Sequence, residues 1–376
     1  MTNTVDFIVI GGGIAGASVA YWLAPHGKVV VLERESQPGY HSTGRSAALF
    51  MASYGAAQVR ALTLASRSFF DSPPAGFSEN PLLTPRGALM VADSEQLPNL
   101  ESHWAVLQAM DTGAQRLSVE QACALVPALR PEMIVAALLE PDASDMDVHA
   151  IHQGFLRGIK NKNGLVHTNV EVLALQREHD QWVVTTQSGT WKAPVVINAA
   201  GAWADRIGAL AGAQHIGLVP CRRSAFTFKP DTDVDFSHWP MTYSASEDWY
   251  IKPDAGMMLG SPANADPVEP HDVCPEELDI AMAISRIQEM TTLTIRRPSH
   301  TWAGLRSFVD DHALVGGYDT QVKGFFWVAA QGGYGIQTSP AMGESCASLI
   351  RGQGIPSHIA AWGLTADMLS PARLIK

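Results

Sequence analysis

A glycine turn set between two buried-strand patterns constrains this chain more than any other feature. Asp6 to Ile10 is a short apolar, β-branched run, the pattern of a strand covered on both faces. It stops at Gly11-Gly12-Gly13-Ile14-Ala15-Gly16, and Ala17 to Leu23 then reads as helix. Val29-Val30-Val31-Leu32 gives a second buried strand, which ends at Glu33. Strand, turn, helix, strand and terminal acid stand in the register of a βαβ dinucleotide site. Gly11 permits the tight turn, Gly13 lets a pyrophosphate approach the backbone, and Gly16 lets the helix pack closely on the strand. The diphosphate then meets the helix N-terminus, where free N–H groups and the dipole favour an anion. Glu33 can accept hydrogen bonds from ribose hydroxyls, and its charge disfavours a 2′-phosphate. The unit by itself does not separate FAD from NAD.

Composition narrows the class. A length of 376 residues predicts two joined domains rather than one core. With 46% hydrophobic and 17% charged residues, the chain has the make-up of a globular enzyme. A net charge of −11 argues against nucleic acid as a partner, since phosphate backbones need a basic surface. Cys123, Cys221, Cys274 and Cys346 form no Cys-x-x-Cys pair, which fits reduced thiols in the cytoplasm and offers no zinc site. The thirteen histidines give no metal-binding pair on a plausible helix, so no metal is expected. The first residues show no signal peptide, and no uncharged apolar run reaches the ~18 residues of a transmembrane segment. The expectation is a cytoplasmic protein.

Three distant segments tip the cofactor to FAD. Pro38 to Ala48 holds small hydroxyl residues and glycine where a helix start is expected, with Ser42 and Thr43 suited to a phosphate or an N-cap and Arg45 adding charge. Pro194 to Asn198 reads as a buried strand leading into Ala199-Ala200-Gly201-Ala202-Trp203. Gly324 to Ala330 is another, delivering the turn Gln331-Gly332-Gly333-Tyr334-Gly335-Ile336-Gln337-Thr338 to a helix from Ser339 to Leu349. A nicotinamide cofactor usually needs one contiguous domain. Convergence of N-terminal, middle and C-terminal segments points to a flavin instead.

Together these segments resemble the D-amino acid oxidase superfamily of flavoproteins, and within it the bacterial FAD-dependent D-arginine dehydrogenases. The runs PGYHSTGRSAA (38–48), NAAGAW (198–203), KPDAGMMLGSPANADPVE (252–269), residues 293–308 and FFWVAAQGGYGIQTSPAMGE (325–344) carry the likeness. The resemblance implies noncovalent FAD, held around Gly11, Gly13, Ile14, Ala15, Gly16, Glu33, Arg34, Ser42, Thr43, Arg45, Ser46, Ala47, Val172, Ala200, Gly201, Trp203, Gly304, Arg306 and the Gly333 to Thr338 turn. The different texture of 82–140 and 216–300 divides the chain into an α/β Rossmann-like FAD domain (1–80, 145–215 and 300–376) and an α+β substrate domain (81–144 and 216–299).

In the substrate half, Arg223 to Phe228, Pro240 to Ala245, Trp249 to Pro253 and Met257 to Ser261 alternate like an antiparallel meander, with turns at Ser246-Glu247-Asp248 and Pro253 to Gly256. Pro275 to Thr292 reads as helix. An amino acid needs a carboxylate clamp, and the arginine fork matches two oxygens. Arg306 sits in an apolar run and Arg223 opens the meander, while Arg222 reads better as a structural ion-pair residue. The resemblance assigns the carboxylate to Arg306 and Arg223, places the phenols of Tyr250 and Tyr54 at the substrate, and gives the Gly333 carbonyl to the amino group.

The chain departs from the arginine-preferring relatives at the side-chain pocket. Ala88 stands where they carry a glutamate, Leu49 where they have a histidine, and Tyr243 in place of a smaller aliphatic residue, with Met51 and Met241 nearby. Burying a guanidinium without an acid costs several kcal/mol. The expected reaction is therefore oxidative deamination of neutral or apolar D-amino acids: hydride passes from Cα to flavin N5, and water hydrolyses the imino acid to a 2-oxo acid and ammonia. The alternatives are an FAD enzyme of glycine, sarcosine or a cyclic imino acid such as D-proline, an NAD-dependent dehydrogenase, and a non-catalytic flavoprotein. The expected partners are a small amine substrate and, as acceptor, a quinone or respiratory carrier; a monomer is expected.

Overall fold

The computed structural model describes residues 2–110, 112–231 and 234–375. The apolar runs of the N-terminal unit form strands because both faces of each find cover. Phe7–Ile10, Val29–Leu32, Leu165–His167, Val195–Asn198 and Phe325–Ala329 pair in parallel, and Val315–Tyr318 closes one edge antiparallel to Phe325–Ala329. Val9 and Val31 face the helices Ile14–Leu23, Val148–Asn161 and Ser339–Ile350. Their neighbours Ile8, Val30 and Leu32 face the opposite way, onto a four-stranded sheet that includes Val172–Glu178 and Gln181–Thr186. Each such fully buried branched side chain contributes about 1.5–3 kcal/mol, which fixes the strand register.

The second half is built on a nine-stranded, mainly antiparallel sheet. The meander is there: Val219–Phe228, Met241–Ser244, Tyr250–Asp254 and Met257–Ser261, with the helix Glu277–Met290 packed on it. Ala88–Ala92 runs parallel to Met241–Ser244 and antiparallel to Ala136–Glu140. His300–Phe308, placed by the sequence division in the nucleotide half, pairs with Val219–Phe228 from Val219↔Phe308 to Thr227↔His300. Alternation explains it: Ala303, Leu305 and Ser307 are buried on one face while the residues between them stay partly open. This strand carries Arg306 out of the sheet to meet the nucleotide half.

Residues 38–45 form turns and 46–48 run on irregularly, not the helix start expected from the sequence. The hydroxyls that suggested an N-cap bond across the fold instead. Ser42 Oγ donates to the Leu305 carbonyl at 2.6 Å, and Thr43 Oγ1 accepts from the Ile14 N–H at 3.0 Å. Such side-chain bonds compete with helical ones.

Candidate active site

Three cavities run end to end between the two halves. The first, about 310 Å³, is lined by Gly11, Gly13, Ile14, Ala15, Glu33, Arg34, Val172 and the Ala199 to Trp203 turn, among others. The second, about 90 Å³, shares Ile14, Ser42 and Thr43 with it and continues past Arg45, Gly304, Gly335 and Ile336. The third, also about 90 Å³, shares Ser46, Ala47, Arg223, Tyr250, Arg306 and Gly333 with the second and is walled by Leu49, Met51, Tyr54, Met241, Tyr243 and Trp249. A long, narrow cleft leading to a small chamber matches a dinucleotide with its reactive ring at the inner end.

The cleft is prepared for a diphosphate and a ribose. Gly13 gives the Ile14–Leu23 helix no cap of its own; Thr43 Oγ1 takes the Ile14 N–H, and Ala15 of the same first turn lines the cleft. Glu33 Oε2 accepts from the Gly12 N–H at 2.7 Å and Oε1 accepts from the Glu35 N–H at 2.8 Å. Each oxygen keeps a lone pair for a ribose hydroxyl. Arg34 lies 4.5 Å above the Trp203 ring, and His41 is 4.6 Å from the same ring, so together they shape the far end. Arg45 does not offer its charge to a phosphate. Its guanidinium pairs with Asp272 and donates to the carbonyls of Val273 and Ala303 at 3.0 Å each, bolting the loop to the sheet domain.

His152 supports this loop from below. A carbonyl only accepts, so His152 Nε2 carries a proton and donates to the Gly12 oxygen at 2.8 Å. Burial outweighs this bond and holds its pKa below the ordinary 6.5. Folding stability is therefore unaffected by His152 above about pH 6.5 and falls as the pH drops below it, because only the unfolded chain takes the proton there. Thermal melts between pH 7 and 5 should show a steeper loss in the wild type than in His152→Gln; parallel curves would contradict the assignment.

The inner chamber is dominated by two arginines. Arg306 Nη1 donates to the Tyr54 hydroxyl at 3.1 Å, and Arg223 Nε donates to the Asn264 carbonyl. Among the described residues neither guanidinium forms an ion pair, whereas adjacent Arg222 is held by Asp266, Glu276 and Asp279, as its structural reading required. Burial and the neighbouring Arg306 push Arg223 down to about 10. For Arg306 burial also opposes the charge, but the phenol oxygens of Tyr54 and Tyr250 outweigh it and the pKa is raised. Two cations facing one cavity are costly when the one carboxylate at its rim, the exposed Glu247, pairs with neither, and an anion between them repays the cost. Gly333 makes the approach possible, since a Cβ there would lie 2.8 Å from Arg306 Nη1.

Other assignments fall differently. Tyr250 is buried at the junction of the second and third cavities. Ala88 is fully buried one strand behind Met241 and lines none of the three cavities. Tyr334 stacks edgewise on Tyr54, and the side chains of Gln337 and Thr338 bond into the core at Thr63 and the Tyr334 carbonyl. The sequence reading missed Glu247, an exposed turn residue that folds back to the rim of the third cavity. Its turn was legible from Ser246-Glu247-Asp248, but the direction of the turn was not.

Against known proteins, the family model described as DAO, FAD dependent oxidoreductase, matches residues 6–349. The chain belongs to this family. Glycine oxidase of Geobacillus kaustophilus is 21% identical over 387 residues, covering 97% of this chain and 98% of the relative. L-2-hydroxyglutarate dehydrogenase of Escherichia coli K12 is 24% identical over 247 residues, covering 62% of this chain and 56% of the relative. Among solved structures, L-proline dehydrogenase from P. horikoshii superposes with a TM-score of 0.84 at 21% identity, over 99% of this chain and 98% of that one. Crystalline glycine oxidase from G. kaustophilus gives 0.82 at 19% identity, over 93% and 95%. As a DAO-family oxidoreductase the protein uses FAD, and its glycine turn at the helix start, Glu33 and three-segment cleft fit that cofactor. None of its described helices is long and apolar enough to cross a membrane.

Proposed function

We propose that the protein oxidatively deaminates small D-amino acids with neutral or apolar side chains. The observation that carries this reading is the unpaired Arg306–Arg223 couple opening on a chamber continuous with the nucleotide cleft. FAD, when bound, supplies the two-electron acceptor. Arg306 and Arg223 hold the substrate carboxylate, which fixes the orientation of Cα and lets one enantiomer present its hydrogen. The Gly333 carbonyl accepts from the amino group. The Cα–H bond breaks as hydride, the amine loses a proton to solvent, and water hydrolyses the imino acid to a 2-oxo acid and ammonia. Among the described residues no histidine or lysine lines the third cavity, and the amine reacts in its neutral form, having lost its proton to solvent, without a strong base.

The D configuration rests on the resemblance of segments 38–48 and 325–344 to bacterial D-arginine dehydrogenases. The neutral side chain rests on the walls, Leu49, Met51, Met241, Tyr243 and Trp249. Glu247 at the rim is exposed, and a solvated carboxylate is a weak anchor for a cation. Free thiols at all four cysteines support a reducing, cytoplasmic setting, and the likeness to dehydrogenases supports a quinone or respiratory carrier as acceptor. A second reading, oxidation of glycine, sarcosine or D-proline, is favoured by the small volume of about 90 Å³.

Steady-state assays with an artificial dye acceptor test the choice. D-leucine, D-methionine and D-phenylalanine are expected to exceed D-arginine by at least about tenfold in kcat/KM and to yield ammonia, with L-forms inert. Preference for D-arginine would refute the pocket argument, and preference for sarcosine or glycine would install the second reading.

A further inference from the structure

Glu140 ends the strand Ala136–Glu140 and, at 6% exposure, is the one buried acid among the described residues. Ser53 Oγ donates to its Oε1 at 2.8 Å, and His103 Nε2 lies 3.3 Å from the same oxygen. Register sets Glu140 opposite Ala88 and Ala88 opposite Met241. Cross-strand partners point to one face of a sheet, so Met241, Ala88 and Glu140 form a row spanning about 10 Å. Ala88 places only a methyl group in the middle of it.

One end of this row is open to ligand. Met241 lines the third cavity, and so does Tyr243, two residues along on the same face. The Tyr243 hydroxyl reaches Met51 Sδ at 3.9 Å, closing the wall. The loop that Tyr243 touches also holds the acid, through Ser53 two residues on from Met51, and burial first, then the Glu140 charge, raise the Tyr243 pKa well above 10.

We infer that Tyr243 is a specificity-determining residue, sealing the substrate chamber from the Glu140 carboxylate and so confining substrates to uncharged side chains. The inference deepens the proposed function and rests on its carboxylate-binding arginines. An ammonium or guanidinium leaving water needs a carboxylate partner, and the sheet holds one two strands from Met241, bound to the same loop that the Tyr243 phenol closes against. Removing the ring clears the space beside this row, over the small Ala88, and turns a neutral pocket into one that reaches the acid.

Binding of non-reacting carboxylates to the holoenzyme, read from the flavin absorbance, tests this without turnover. The cationic probe is 5-guanidinopentanoate and the neutral probe is 4-methylpentanoate. Tyr243→Ala and Tyr243→Val are expected to raise the cationic-to-neutral affinity ratio roughly tenfold or more. Glu140→Gln in either background is expected to abolish the gain. An unchanged ratio in both single variants, or a gain that survives Glu140→Gln, overturns the inference. Turnover decides the reading separately: a shifted acid ratio in a protein inert to every D-amino acid would sink the proposed reaction and leave the role of Tyr243 standing.

Discussion

Arg306→Ala is expected to lower kcat/KM for the best neutral D-amino acid about ten- to hundredfold, equivalent to about 1.5–3 kcal/mol of lost charge-assisted hydrogen bonding. The reason is the pairing of Arg306 with Arg223 around an anion that neither obtains from the protein. Loss of one guanidinium leaves the carboxylate with a single anchor, so Cα swings and kcat falls together with affinity. Arg306→Lys should recover only part of the loss, because an ammonium replaces a two-pronged fork with a point charge. Stopped-flow reduction of the bound flavin separates the two effects. An unchanged kcat/KM in Arg306→Ala would refute the clamp.

Gly16→Val is expected to yield protein without bound FAD. A Cβ at Gly16 would lie 1.9 Å from the Gly11 carbonyl oxygen and 3.2 Å from Val9 Cγ1. The Gly11 oxygen cannot retreat, since that residue is held at φ +104° against the Ala199 carbonyl. The helix must move off the strand, and the N–H groups at its first turn leave the diphosphate with it. FAD affinity should fall by about a hundredfold or more, and the stabilisation that excess FAD gives the wild type in thermal melts should vanish. The ratio of visible to ultraviolet absorbance after purification measures it. A Gly16→Val protein that stays fully yellow would contradict this reading of the turn.

The βαβ unit was legible because all its signals are local. Val29–Leu32 falls on the predicted residues, and Glu33 takes its place through bonds to Gly12 and Glu35, close in sequence or across one turn. The substrate meander was legible for the same reason, through alternation and turn residues. The sequence set Arg222 aside as an ion-pair residue, but only the resemblance gave Arg223 to the substrate, since adjacent strand residues face opposite sides and the sequence does not say which side is the cavity. What escaped were contacts set by long-range packing. Thr43 bonds Ile14, Arg45 is taken by Asp272, and Glu140 stands in the same row as Ala88. The composition of residues 38–48 suggested a helix start, but cross-fold bonds from Ser42 and Thr43 override it.

Anaerobic mixing of the purified flavoprotein with single amino acids, followed by the visible absorbance, tests the central claim most directly. Rapid bleaching by neutral D-amino acids, with the L-enantiomers inert and one 2-oxo acid formed per flavin, is the predicted result. A yellow protein that no amino acid bleaches, or that L-amino acids bleach first, would contradict it.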